Sequence, residues 1–323
     1  MKLSIIQNRK YFYIFSGALL LISVLSLIAW GLNPGIDFTG GSLLEVKFNV
    51  DRPDIIEAKE SLAQLDLGDI KIQPAGDTNM ILRFRDVDED THQQILTTLK
   101  DAFRQESDVN VTTTGDDEVL AVIVADPLIE ERFESIGPII GEELKHKAWI
   151  AILMAVMMII AYIAYAFRKV SKPVASWKFG VAAILALVHD IVIVTGLFSI
   201  LGHFLGVEVD SLFITALLTI LGFSVHDTIV VFDRTRENLA KHYSGDFEQV
   251  VNDSVNQTIS RSINTSFTTL LVLLTLYFFG GATISNFVLA LIAGVVIGTY
   301  SSIFVASPVI VSWNSLTRKL KSR

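Results

Sequence analysis

A chain of 323 residues that is 51% hydrophobic and only 19% charged, with a mean hydropathy of +0.51, is not an ordinary soluble enzyme; soluble domains carry about 25% charged residues. The net charge of −8 comes mostly from the stretch between Asp37 and Glu143, and an acidic surface there argues against nucleic acid as a partner. With no cysteine, the chain has no disulfide framework and no thiolate metal site.

Six apolar runs follow in chain order, at residues 11–32, 148–167, 179–201, 212–232, 267–279 with a polar lead-in from 258, and 287–310. A transmembrane helix needs about 20 such residues. The first run follows Lys2, Arg9 and Lys10 and is too long for the apolar core of a signal peptide, so it reads as an uncleaved anchor. The segment after the third span and the last short turn lack Lys and Arg, whereas residues 168–178 and the C-terminal tail are basic. By the positive-inside rule both termini are expected in the cytoplasm and the domain after the first span outside. Trp30, Trp149, Trp177 and Trp313 all fall at span edges, as an interfacial belt requires. The expected division is a first transmembrane helix over 1–33, an extracytoplasmic domain over 34–146, a five-helix bundle over 147–310 and a basic cytoplasmic tail over 311–323.

After the first span, Gly35-Ile-Asp-Phe-Thr-Gly-Gly41 marks a constrained turn. Gly35, Asp37, Gly40 and Gly41 read either as a specific junction with the membrane or as a simple exit turn, and physics alone favours the exit turn. The next hundred residues alternate as strand, helix, strand, strand, helix, strand: Leu43–Phe48 apolar positions, a helix over 53–65, strands over 70–72 and 80–84, a helix over 91–103, and a β-branched strand over 119–124. That order points to an α+β ferredoxin-like sandwich. Its lone His92 reads as a surface residue rather than a ligand. Gly137, Pro138 and Gly141 then mark a hinge or a plain linker before the second span.

Ionisable residues inside spans are expensive and are functional candidates by default. The third span carries His189 and Asp190, the fourth His226 and Asp227. Asp190 reads equally as part of a proton path or as a packing hydrogen-bonder. Both histidines titrate near neutrality and can pass protons, and both can equally be structural. In the fourth span Thr215, Thr219, Gly222 and His226 recur at helical spacing, a polar or small stripe expected to face other helices. Asp233 and Arg234 end that span at the cytoplasmic interface. A polar stretch over 238–262 follows, with Phe247, Val250, Val251 and Val255 forming an amphipathic helix expected to lie at the membrane surface. Arg261 opens the fifth span at about the depth of Asp227. It is expected either to pair with Asp227, relieving the cost of both charges, or to anchor the helix end on lipid phosphate.

Together, Gly35–Gly41, Gly137-Pro-Ile-Ile-Gly141, Val188-His-Asp190, the run from Asp227 through Asp233-Arg234 to Asn238, and Gln257 to Ser266 resemble the SecF family of the bacterial Sec protein-export system, within the RND superfamily. The resemblance covers nearly the whole chain. It implies a polytopic α-helical membrane protein, one RND-type half with six transmembrane helices, in the bacterial cytoplasmic (inner) membrane. It implies pairing with SecD, action beside the Sec translocon channel on exported unfolded polypeptide, and use of the proton-motive force, with Asp227 as the proton carrier and Arg261 as its partner. No cofactor is implied beyond the proton as coupling ion, and no catalytic or metal residues. His226 departs from the pattern, which has Asn there, and the connector over 171–176 is longer than the family's. Outside the resemblance, the residues also allow a passive scaffold, a half-size exporter of small molecules, or an aspartyl protease using Asp190 and Asp227, for which the flanking glycines are missing.

Overall fold

The computed structural model describes residues 3–49, 52–104, 109–114, 118–124, 126–166, 175–241 and 246–321. The basic residues Arg168, Lys169 and Lys172, most of the 171–176 connector and Arg323 lie outside the described residues. The chain divides into two compact units, one of residues 34–146 and one of residues 1–33 with 147–323.

In the first of these, α2 (Ile36–Thr39) leads into β1 (Gly41–Phe48), followed by α3 (Ile55–Ser61), β2 (Lys71–Ala75), β3 (Asn79–Phe84), α4 (Glu89–Ala102), the hairpin β4 (Val109–Thr114) and β5 (Glu118–Val124), and β6 (Leu128–Ile136). Both longer helices start on an aspartate cap. Asp54 accepts from the Ile56 N–H at 3.4 Å, and Asp88 from the Thr91 N–H at 3.0 Å. A cap of this kind contributes about 1 kcal/mol. The Thr91 bonds also hold the exposed Asp88 carboxyl below its ordinary pKa. Alternate residues of β1 and β3 point at the helices, so Leu44, Val46, Met80 and Leu82 meet Ile95, Leu96 and Leu99 in one core.

The sheet is antiparallel throughout, in the order β2-β3-β1-β6. Here the sequence reading is corrected. The strand expected over 119–124 exists, but it pairs with β4 in a separate two-stranded sheet. The neighbour of β1 is β6, in the register Gly41↔Ile136 to Phe48↔Leu128 with a bulge at Glu45/Val46. The sequence of β6 shows no apolar alternation because Glu130, Glu131, Arg132 and Glu134 charge it on both faces, as an edge strand permits.

Among the described residues, six helices are long and apolar enough to cross a membrane. They are α1 (Arg9–Ala29), α5 (Pro138–Ala166, which begins in the smaller unit), α6 (Ser176–Leu205), α7 (Ser211–Lys241), α8 (Phe247–Phe279) and α9 (Ala282–Ser301). A π turn (Ser302–Ala306) carries α9 into α10 (Ser307–Lys321). Pro308 would clash with the carbonyl four residues back in a regular helix, and the wider turn just before it gives that room. α7 packs against α9, α8 and α6, and α1 against α6. At Gly294 a Cβ would lie 2.2 Å from Ile220, so glycine there sets how closely α9 approaches α7.

The amphipathic segment expected at the membrane surface is instead the first part of α8. Its apolar side (Phe247, Val250, Val251, Val255) continues in register as Thr258, Ser262 and Ser266, so the helix does not break. That side packs on Leu239, Ile5 and Ile6 inside the protein rather than on lipid. The N-terminal segment is strapped to it. The Asn256 side chain accepts from the Leu3 N–H at 2.8 Å and the Asn252 side chain from the Ile6 N–H at 3.2 Å, while Arg9 pairs with Glu248 at 2.8 Å.

Candidate functional site

Asp190 sits mid-way along α6 with 0% exposure. Its Oδ1 accepts from Nδ1 of His189 at 2.9 Å, and its Oδ2 accepts from the hydroxyls of Ser224 on α7 at 2.5 Å and Ser301 on α9 at 2.7 Å. One carboxylate thus joins three helices, with each oxygen occupied. His189 is buried too, and its Nε2 has no hydrogen-bond partner among the described residues. Its ring lies 6.4 Å from that of Tyr300, whose hydroxyl bonds Ser16 at 3.0 Å.

Asp227 lies one turn beyond Ser224 on the buried side of α7, which runs Phe213, Leu217, Ile220, Ser224, Asp227, Val231. It is 3% exposed, and its Oδ2 accepts no hydrogen bond from any described residue. A buried carboxyl oxygen without a donor carries its full desolvation penalty. The neighbouring helix is in register. Asn238 donates to Ser254 at 2.9 Å and Arg234 to Gln257 at 2.5 Å across the antiparallel α7–α8 pair, which brings Asp227 level with Asn264 and Thr265. Ser262, within a turn of that level, is also buried, and its hydroxyl has no partner among the described residues.

The expected Asp227–Arg261 contact is not made. Arg261 is exposed, and no ion pair among the described residues joins the two. The reason is helical phase: the buried face of α8 runs through Thr258, Ser262 and Ser266, and Arg261 is turned about 100° from Ser262. His226 is exposed as well, one residue and 100° from Asp227. With it Thr215, Thr219 and Gly222 are exposed, and on α8 so are Asn264, Thr265 and Thr268 beside Arg261. The stripe expected to face other helices of the protein therefore faces none of its own.

At the end of α7, Asp233 pairs with Arg236, Arg234 with Glu237 at 2.5 Å, and Glu237 with Lys241 at 2.6 Å. These are exposed neighbours on one helix, screened by solvent, and they add little to stability. Arg234 alone also reaches α8, through Gln257. Among the described residues no group of three or more His, Asp or Glu side chains is arranged to hold a metal ion.

The junction glycines form a close-packed knot, not a simple exit turn. Gly40 (φ 73°) would carry a Cβ 2.8 Å from the Cα of Pro138, and Gly41 (φ 128°) one 2.7 Å from the Phe84 carbonyl oxygen. A Cβ on Gly141 would lie 3.0 Å from the Gly40 nitrogen. Only glycine combines those dihedrals with that contact. Asp37 is half-buried and lies in α2 within the knot. Gly35 caps α2 and Gly137 precedes α5, so the two separated motifs close on each other.

Residues 120–316 match the family model described as protein export membrane protein SecD/SecF, C-terminal, and residues 26–51 match the SecD/SecF GG motif. The protein translocase subunit SecF of Thermobaculum terrenum is 41% identical, over 97% of this chain and 94% of that one. The SecF of Anaerolinea thermophila is 38% identical over the same shares. Among solved structures, the crystal structure of SecDF, a translocon-associated membrane protein from Thermus thermophilus, matches with a TM-score of 0.76 at 32% identity. That match covers 98% of this chain but only 39% of the SecDF chain, so the present chain spans about two-fifths of the length of that relative. With a matching model over more than half its length and SecF relatives along nearly all of it, the chain belongs to the SecF side of the SecD/SecF family of protein export membrane proteins.

Proposed function

We propose that this chain works with a SecD partner in protein export and couples that work to proton movement through Asp227. The observation that carries the reading is the Asp227 carboxyl itself, buried within a membrane helix with Oδ2 unpartnered. A group held at such cost, with no described donor on Oδ2, is available to exchange a proton. Asp190 is the contrasting case: with three donors on it, it serves as an anchor for α6, α7 and α9 and not as a second carrier. His189 and His226 are at most relays.

The partner reading rests on the exposed polar residues of α7 and α8. Thr215, Thr219, His226, Arg261 and Thr265 would face lipid unless other helices covered them, and polar groups in hydrocarbon seek interhelical partners. The matched SecDF chains, much longer than this one, support SecD helices as the cover. In that arrangement Arg261, turned away from Asp227, answers to the partner's face, and a change at Asp227 reaches the partner through the packing of α7 and α8.

Further parts of the reading are that both termini lie in the cytoplasm, that residues 34–146 form a ferredoxin-like domain on the outer side, and that the pair acts beside the Sec translocon channel on emerging polypeptide. The β2-β3-β1-β6 order with α3 and α4 as the crossovers supports the ferredoxin-like description. The chain is a transport component, and its only coupling species is the proton. The energy suffices: one charge crossing about 100 mV releases about 2.3 kcal/mol, which shifts a two-state population by roughly 50-fold.

The test is preprotein export into vesicles, with and without a proton gradient, for wild type and Asp227→Asn assembled at equal levels with SecD. The gradient-dependent part is expected to disappear in the variant. Export that keeps its gradient dependence would leave a scaffold role in its place.

A further inference from the structure

α5 and α6 follow one another in the chain, and a groove runs between them. The membrane part of α5 is the least buried of the six described spans. Its Ile163 is nevertheless buried, at 1% exposure, and a Cβ on Gly180 of α6 would lie 3.4 Å from the Ile163 Cγ2. Gly180 contributes no side chain, and beside it lies a cavity of about 310 Å³. Ile163 forms its floor, with Ile160 and Ala164 of α5 on one side and Trp177 and Ile184 of α6 on the other. Apart from the Trp177 indole, no lining side chain has a polar group.

From Trp177 to Ile184 the groove follows α6 for about 10 Å, at 1.5 Å per residue. The hydrocarbon of one leaflet is roughly 15 Å deep, so the groove fits within a single leaflet. A helix about 10 Å across needs about 420 Å³ for one turn, so a transmembrane helix does not fit into it, whereas a single flexible hydrocarbon chain does.

The end at Trp177 is positively charged. The Trp177 ring meets the Trp313 ring of α10 edge to face, with centroids 5.0 Å apart and planes at 86°. Nζ of Lys178 lies 5.9 Å from the centre of the Trp313 ring and donates to the Thr317 hydroxyl at 2.9 Å. An ammonium has three N–H donors, and Lys178 makes no ion pair among the described residues. Arg318, next to Thr317, is exposed and makes none either. The sequence has no Asp or Glu between Glu143 and Asp190, nor any after Asp253, so no acid on the membrane part of α5, the start of α6 or α10 answers these charges.

We propose that this groove holds one acyl chain of an anionic phospholipid, with the phosphate at the Trp177–Trp313 edge beside Lys178 and Arg318. The apolar lining takes the chain, the two indoles mark headgroup level, and the unanswered cations select negative charge. A zwitterionic lipid offers the same chain but brings a cation of its own to Lys178 and Arg318. The bound chain completes the packing of α5 on α6. Neither proton exchange at Asp227 nor the placement of the termini enters this site.

Photolabelling of the full chain in lipid nanodiscs, alone and together with SecD, tests it. The probes are phosphatidylglycerol and phosphatidylcholine with the same diazirine-bearing acyl chain, and labelled residues are read by mass spectrometry. Phosphatidylglycerol is expected to label residues 160–164 and 177–184 about 25-fold more than phosphatidylcholine, which is about fivefold for each of the two cations. The ratio should fall to about fivefold in Arg318→Gln and to about one when Lys178→Gln is added. Ala164→Phe changes an exposed rim position and should fill the groove, removing the label from residues 177–184 with either lipid. Equal labelling by the two lipids, or a ratio unchanged in Arg318→Gln, means ordinary lipid contact and overturns the site. Label that persists in Ala164→Phe overturns the groove as its place, and label lost on assembly with SecD gives this face to a partner helix instead. Should the Lys178 variant not fold, Arg318→Gln and Ala164→Phe decide.

Discussion

The tripeptide Val-His-Asp occurs twice in the membrane unit, at Val188-His189-Asp190 in α6 and at Val225-His226-Asp227 in α7. The two copies have opposite fates. In α6 the valine is exposed, the histidine and aspartate are buried, and the carboxylate is saturated by His189, Ser224 and Ser301. In α7 the valine and aspartate are buried, the histidine is exposed, and Oδ2 of the aspartate is left without a donor. Identical residues are separated by nothing but the rotation of each helix about its axis and the hydroxyls its neighbours present. One copy is built as a joint, and the other is left free to change state.

Removing the joint should have the largest effect on stability. Asp190→Ala strips the acceptor from three buried donors. At roughly 0.6–1.7 kcal/mol for a hydrogen bond inside a membrane protein, the loss should be about 2–5 kcal/mol, read as a lower unfolding midpoint in detergent or nanodiscs. Ser301→Ala removes one of the three and should cost about 0.6–1.7 kcal/mol by the same measurement. A loss in Ser301→Ala as great as that in Asp190→Ala would mean that the serine acts through the π turn that begins at Ser302, and the comparison would need recasting.

Much of this was legible from the sequence, and the misses share a cause. The six spans and, in the smaller unit, the elements β1, α3, β2, β3 and α4 follow from period and composition, which are local. What lay beyond reach was phase and partnership. Ser301 stands 111 residues from Asp190, and no local pattern marks one serine in an apolar helix as its donor. Arg261 was expected to meet Asp227 because both lie near the same depth, but depth fixes only the coordinate along the axis. The spacing of Thr258, Ser262 and Ser266 contains the signal that turns Arg261 outward. His92 shows the same limit: its spacing from Ile95, Leu96 and Leu99 puts it on the buried face of α4, a matter of phase that residue type alone does not carry. β6 was hidden by charge on an edge strand, and the Asn252 and Asn256 strap by the ordinary look of asparagine on an amphipathic helix.

The smallest expected effect is the most informative. If Asp227 is held for exchange and not for packing, Asp227→Ala should leave the folded chain nearly as stable as wild type, within about 0.5 kcal/mol, because no described donor to Oδ2 is lost and a desolvated polar group is removed. The same unfolding measurement that registers several kcal/mol at Asp190 should barely move, while gradient-dependent export disappears. A stability loss comparable to that of Asp190→Ala would show Asp227 to be a joint as well, and export lost in such a variant would no longer speak for proton coupling. The two copies of one tripeptide therefore serve as mutual controls: the same deletion in adjacent helices should separate folding from function.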